Sequence, residues 1–345
     1  MTNKAKEFKK FRREVYRGDE MYAGTAEFVT DMLVGQTTDF AKKCEVIPLA
    51  EESETERQAQ CLWVHAPGTD YAQIAFFDAE NEAAANSLIE KAKELTRQKG
   101  LRRIVAGLNG HLSYGVGILT SAKSKNTFDS CYNKLGYSEY FKDFETKHTL
   151  SAYRCEVKEA RRRLEKASFD TSGYAVRTAD FSRFFDECET MRRICDGTIG
   201  ETYLYEPTER GHFYELLKDM KILLSGRNLL FLTYKGREVG FLFWHPDYNG
   251  AIKAGKPYSA FSFALGYALH RARVDTVKLN SIGVEREHRG LGTLALLRAF
   301  DECIGDRFKY IETNFVWDDN KKSALLNRKL LGEVCRTFAV YEETL

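Results

Sequence analysis

An apolar strand signal at residues 277–284 runs into Val284-Glu285-Arg286-Glu287-His288-Arg289-Gly290-Leu291-Gly292-Thr293, and a helix opens directly behind it. Leu294, Leu297, Phe300 and Ile304 recur at spacings of three or four, one face of that helix. Glycines at a strand-to-helix turn let main-chain N–H groups come close to a ligand where a Cβ would clash. The helix start adds amides without intrahelical acceptors and the positive end of its dipole. This pattern predicts a phosphate cradle, with Arg289, Arg286 and His288 as added positive charge. The run lacks the Gly-Lys-Ser/Thr ending of nucleotide triphosphatase loops. It also lacks the three-glycine dinucleotide fingerprint with its downstream acid.

Parity along the strand carries a second signal. Apolar residues fall on Val277 and Leu279, then on Ile282 and Val284. A strand changes face only by inserting a residue, so a β-bulge is expected near Asn280–Ser281. Downstream, residues 310–317 read as the next strand, followed by Asp318-Asp319-Asn320 and a helix over 321–331 stopped by Gly332.

This order of strand, cradle, helix, strand and Asn-led helix resembles the GCN5-related N-acetyltransferases, whose pyrophosphate-binding pattern is Gln/Arg-x-x-Gly-x-Gly/Ala. Arg289 and Gly292 match it, and Leu294 departs from it. The resemblance implies coenzyme A contacts from Ile282, Gly283, Val284, Arg289, Gly290, Leu291, Gly292, Thr293, Asn320 and Ser323, with a backbone N–H at the bulge polarising the thioester carbonyl. It also implies acetyl-CoA as co-substrate and no metal. A free aliphatic amine, with a pKa near ~10, must shed a proton before it attacks, at about 4 kcal/mol at neutral pH. Glu312, on the strand beside the cleft, is the candidate base; the same glutamate also reads as a strand-end residue facing water. The family's acid is commonly a tyrosine, but Asn327 falls near that position. Tyr341 on the last strand is the substitute, with a packed tyrosine as its plain alternative, and Tyr248 is a weaker third.

The first half carries a looser version of the plan. Residues 60–66 and 71–77 read as paired strands around Pro67-Gly68, 81–98 as a helix ended by Gly100, and 101–106 as a strand. Its turn is Asp78-Ala79-Glu80, acidic and without glycine, which disfavours pyrophosphate. The segment 107–119, with glycines at 107, 110, 115 and 117, reads either as a pocket wall or as a long connection. In the second half, 174–178 is a first strand, 180–224 helical with a break, and 228–235 and 238–244 a hairpin around Gly236-Arg237. An additional segment follows between 246 and 274, helical over 261–270.

The expected fold class is therefore α/β: two tandem acyl-CoA N-acyltransferase folds, each a mixed, mostly antiparallel twisted sheet flanked by helices. The fourth and fifth strands of the C-terminal unit are expected to splay. The expected domains are a degenerate unit at 1–155, a charged connector at 156–172, and a coenzyme A-binding unit at 173–345.

Net charge of +2 offers no electrostatic pull on nucleic acid or a membrane surface, so neither is an expected partner. The 8 cysteines form no Cys-x-x-Cys pair or metal-spaced cluster, and residues 1–13 are charged rather than apolar, which fits the cytoplasm. The expected activity is acetyl transfer to the amine of a small molecule or peptide amino terminus. A silent acyl-CoA-binding scaffold is the alternative, an aminoacyl transferase ranks lower, and a homodimer stays open.

Overall fold

The computed structural model describes residues 3–23, 27–54, 56–167, 170–200, 202–255 and 260–345. The first half begins with helices α1 (Asn3–Val15), α2 (Glu27–Val34) and α3 (Asp39–Lys43). Strands β1 (Glu45–Glu52), β2 (Arg57–His65) and β3 (Tyr71–Ala79) lead to α4 (Glu82–Gln98), β4 (Arg103–Ala106), β5 (Ile118–Ala122) and β6 (Glu145–Glu156). Helix α5 (Val157–Glu165) then leads to β7 (Tyr174–Thr178), α6 (Phe184–Ile199), α7 (His212–Leu217), β8 (Leu229–Tyr234), β9 (Arg237–Pro246) and α8 (Ala260–His270). The chain closes with β10 (Thr276–Val284), α9 (Leu291–Ile304), β11 (Tyr310–Thr313), β12 (Val316–Trp317), α10 (Lys321–Leu330) and β13 (Glu333–Thr344).

All strands belong to one 13-stranded sheet in the order β1-β2-β3-β4-β13-β6-β11-β10-β9-β8-β7, with β5 on β13 and β12 on β6. Pairing is antiparallel except for β3 with β4 and β10 with β11. The centre is a reciprocal exchange. The last strand of the chain, β13, pairs with β4 of the first half, while β6 of the first half pairs with β11 of the second. The two then pair with each other from Glu333↔Arg154 to Glu342↔Glu145.

Amphipathic helices cover the sheet. Ala85, Leu88, Ile89 and Ala92 of α4 are buried at helical spacing against Ile74 and Ile104. Ala295, Leu296 and Phe300 of α9 pack on Leu232 and Leu242. Leu232 and Leu296 are fully excluded from solvent, which contributes about 1.5–3 kcal/mol each.

One local expectation is corrected. The hairpin turns on Lys235-Gly236, at φ of 50° and 78°, not on Gly236-Arg237. A tight primed turn needs positive φ at both central residues, and Arg237 already pairs with Tyr234. The stretch expected as a connector contains α5, whose Arg161 donates to Asp301 at 2.9 Å and Asp306 at 2.8 Å. Residues 168–169 of that stretch, and 256–259 of the additional segment, lie outside the described residues.

Candidate functional site

The bulge expected near Asn280 is present. Leu279 faces Trp244 and Ser281 faces Phe243, which leaves Asn280 without a register partner on β9. On the other edge, β10 and β11 pair only as far as Leu279↔Thr313, so beyond that point the strands part. In a ladder alternate residues turn their N–H and C=O groups away from one neighbour, so the edge after Leu279 faces this split.

The start of α9 lies at the surface, with Gly290 and Leu291 exposed. Its N-cap is Gly290, at φ 90° and ψ −92°, with no side chain closing the helix end. The first intrahelical bond runs from the Leu294 N–H to the Gly290 carbonyl at 3.0 Å, so the amides of Leu291, Gly292 and Thr293 precede it. This end fits a pyrophosphate. Arg289 is exposed, and its guanidinium donates to the carbonyls of Val284 at 3.2 Å and Thr198 at 3.1 Å, tying the strand end to α6.

The two glycines have different jobs. A Cβ on Gly290 meets nothing within 4 Å, so its backbone conformation is what demands glycine. A Cβ on Gly292 would lie 2.5 Å from Leu232 Cδ2. At Gly292 glycine is therefore demanded by the packing of α9 on β8, while its amide remains one of those that precede the first intrahelical bond. Gly283 is similar, since its Cβ would meet Phe241 at 2.7 Å and Thr198 Oγ1 at 2.8 Å.

A cavity of about 780 Å³ opens at the split. Leu279, Asn280, Ser281 and Ile282 of the bulge line it, as do Asn320, Ser323 and Asn327 around α10. Asn320 caps α10 by accepting from the Ser323 N–H at 3.2 Å. A smaller space of about 70 Å³ shares Leu279, Ile282, Ser323 and Asn327 and reaches Thr293 on α9. The Ser281 hydroxyl is buried with no hydrogen-bond partner, a polar atom at the bulge left for something else to satisfy.

The proposed base and acid do not sit at this cavity. Glu312 is fully buried and is bound by Arg336, by Arg154 at 3.1 Å and by Thr127 at 3.0 Å. Both arginines come from the exchanged strands β13 and β6, which lock the carboxylate between two guanidinium groups away from any substrate. Tyr341 is carried by β13 into the first half, where it stacks on Phe141 at 5.7 Å in the core with Ala106 and Ile118. Tyr248 is buried, its hydroxyl donating to the Leu223 carbonyl at 2.8 Å.

A carboxylate that the sequence reading missed does sit there. Asp129 lines the cavity and is exposed there. Its Oδ2 accepts from the side chain of the bulge residue Asn280 at 2.6 Å. Burial raises its carboxyl above the usual range, while the Lys278 ammonium and the Asn280 bond pull the other way. Its φ is 59°, a left-handed conformation that Asp tolerates better than most residues. Lys278, itself brought down to about 8 by burial, donates to the carbonyls of Phe128 and Asp129 at 3.0 Å and fixes this loop. The neighbouring Cys131 thiol is pushed up to about 11 by burial and is no thiolate at neutral pH.

The first half keeps the split but closes the site. Gln60 faces Asp78 and Leu62 faces Ala75, so β3 also bulges, at Phe76 and Phe77. The Phe76 N–H is taken by the Asn109 side chain at 3.0 Å, from the glycine-rich segment. The start of α4 is capped by Asn81 accepting from Ala84. Asp78 is held by Arg12 at 2.9 Å and by the Tyr16 hydroxyl at 2.7 Å. The segment 107–119 is a cavity wall, contributing Gly107, Asn109, His111, Ser113 and Tyr114. Among the described residues Glu285, Glu287 and His288 could reach a common ion, but Arg237 already engages Glu285 through two bonds of 2.6 Å.

No protein-family model matches the chain. It is 24% identical over 285 residues to the bacterial ceramide synthase of Caulobacter vibrioides, spanning 77% of this chain and 73% of that one. Among solved structures it resembles a tandem GNAT protein from the clavulanic acid biosynthesis pathway, at 14% identity, 96% coverage of both chains and a TM-score of 0.51. A GCN5-related glucosamine N-acetyltransferase region in a fungal multi-domain beta-N-acetylglucosaminidase matches at 9% identity and TM-score 0.59, over 99% of this chain and 37% of that one. A probable N-acyltransferase of Enterococcus faecalis matches at 7% identity and TM-score 0.54, over 99% and 71%. The fold is that of the tandem GCN5-related N-acetyltransferases.

Proposed function

We propose that the protein is a coenzyme A-dependent N-acyltransferase that joins a long acyl chain to a lipid amine. The observation that carries this reading is the cavity of about 780 Å³ that runs from the split to the glycine-rich segment of the first half, more space than an acetyl group and a small amine fill. Its wall near the bulge carries a run of large apolar side chains, Leu279, Ile282, Phe243, Phe263, Phe315 and Trp317, among the polar Asn280, Ser281 and Asp129. The partial likeness to a bacterial ceramide synthase supports it, since a ceramide is the amide of a fatty acid and a lipid amine. The sequence suggested acetyl transfer; the cavity favours the longer chain.

The residues divide the work as follows. The amides at the start of α9 and Arg289 hold the diphosphate, and Asn320 and Ser323 flank the path into the split. A thioester supplies the activated carbonyl, which the bulge after Leu279 polarises through its backbone N–H groups. Asp129, tied to the bulge residue Asn280, takes a proton from the incoming ammonium when its carboxyl is ionised. The C–N bond forms and the C–S bond breaks; the nitrogen sheds its second proton through water to the departing thiolate, because the Asn327 amide is no acid.

The test is a comparison of acetyl-CoA and palmitoyl-CoA with a long-chain amino alcohol, read as thiol release and amide product. Each buried methylene contributes about 0.8 kcal/mol, so four added carbons should raise kcat/KM by roughly two orders of magnitude. Turnover of acetyl-CoA with water-soluble amines, unaffected by chain length, would overturn the proposal.

A further inference from the structure

Helix α8 breaks the usual rule for a surface helix. Its outward residues are Phe261, Ala264, Leu265, Ala268 and Leu269, and none of them is polar. Phe261 is 78% exposed, Leu265 50% and Leu269 69%, at spacings that form one stripe. Ile222, on the neighbouring short helix 218–223, is 89% exposed. The inner side of α8 is anchored normally, with Phe263 stacked on Phe128 at 5.6 Å and Tyr267 against Tyr248 at 5.0 Å. An exposed patch of this kind marks a docking surface.

We propose that this patch docks on an anionic lipid bilayer and opens the cavity to it; this rests on the lipid-amine reading above. Two observations select a bilayer. The patch continues into the cavity, because Ala264 of α8 and Ile222 both line it, so a lipid entering between them meets Phe263, Met220 and Leu223 next. Basic side chains also flank it: Arg271 and Arg273 are exposed just after α8, and Lys218 and Lys221 beside Ile222, against the acids Asp219 and Asp275. Apolar insertion combined with a basic rim is the chemistry that binds a negatively charged membrane surface. The net charge of +2 hides this, because it averages the patch with the rest of the chain. No described helix is long and apolar enough to cross a membrane.

The test is flotation of the full chain with vesicles of phosphatidylglycerol and phosphatidylethanolamine in equal parts. The wild-type chain should float, and high salt should weaken this. The variant Phe261→Ser/Leu265→Ser/Leu269→Ser should bind about tenfold less. Arg271→Glu/Arg273→Glu should lose binding to the anionic vesicles. A wild-type chain that stays in solution, or a triple variant that floats equally well, overturns the proposal. So does a chain that only self-associates and becomes monomeric in the triple variant. The triple variant should keep its turnover of detergent-dispersed amine, since none of its three positions lines the cavity. Flotation without acylation of any lipid amine leaves the docking intact and removes the functional reading; acylation without flotation does the reverse.

Discussion

Gly292→Ala separates a glycine that shapes the fold from one that shapes the ligand site. The new Cβ would stand 2.5 Å from Leu232 Cδ2, well inside contact distance, and Leu232 is fully buried under α9. Tyr174 and Val284, each 3.5 Å away, leave little room on the other sides. Overpacking of this kind costs about 1–3 kcal/mol. Alanine returns less than about 1 kcal/mol in helix propensity, because the site is in the first turn. The net expectation is a loss of about 1–2 kcal/mol in equilibrium urea unfolding, with coenzyme A affinity of the folded protein within about threefold of wild type by calorimetry. Gly290→Ala is the counterpart. It meets no atom within 4 Å, but its φ of 90° strains any side chain by about 1–3 kcal/mol. Relief of that strain re-aims the amides of the cradle, so here coenzyme A binding falls. If Gly292→Ala kept full stability and lost tenfold in coenzyme A affinity, the division of labour drawn from the geometry would be refuted.

Four further outcomes are expected. Asp129→Asn should lower kcat by about 10²–10⁴ with coenzyme A binding intact, and should abolish the acid limb of the pH–rate profile, since a raised carboxyl works as a base only above its pKa. Glu312→Gln should destabilise the fold by about 3–5 kcal/mol in urea unfolding, because it leaves Arg154 and Arg336 facing each other unneutralised. A stable Glu312→Gln variant whose turnover recovered at high pH would restore its role as base. His212 and His245 are held down to about 3 by burial, so the unfolded chain binds more protons below the usual imidazole range; stability should be full above about pH 6.5 and fall on acidification, by about 2 kcal/mol per imidazole at pH 5, and His212→Gln should flatten that slope. Deleting residues 333–344 should abolish cooperative melting of both halves, because β13 pairs with β4, β5 and β6.

The features legible in the sequence were those whose partners are local. The parity change between Leu279 and Ile282 revealed the bulge, and Asn81 and Gly100 bounded α4. The strand exchange left no such mark. β6 and β13 carry side-chain patterns that suit either half of the sheet, and their final neighbours are set by pairing across the whole chain. That one hidden step misled both catalytic assignments, by bringing Arg154 and Arg336 to Glu312 and by carrying Tyr341 into the first core. Asp129 was hidden for the same reason: its contacts, Asn280 and Lys278, lie about 150 positions away and belong to another unit.

The exchange also dictates an order of events at the ribosome. β4 and β6 are made early, yet the slot between them stays empty until residues 333–344 emerge. Until then the short edge of β4 and the long edge of β6 stand open with unpaired amides, each a template for pairing with a neighbouring nascent chain. Completion of the first unit thus waits on residues 333–344, which follow every other strand of the second unit in the chain.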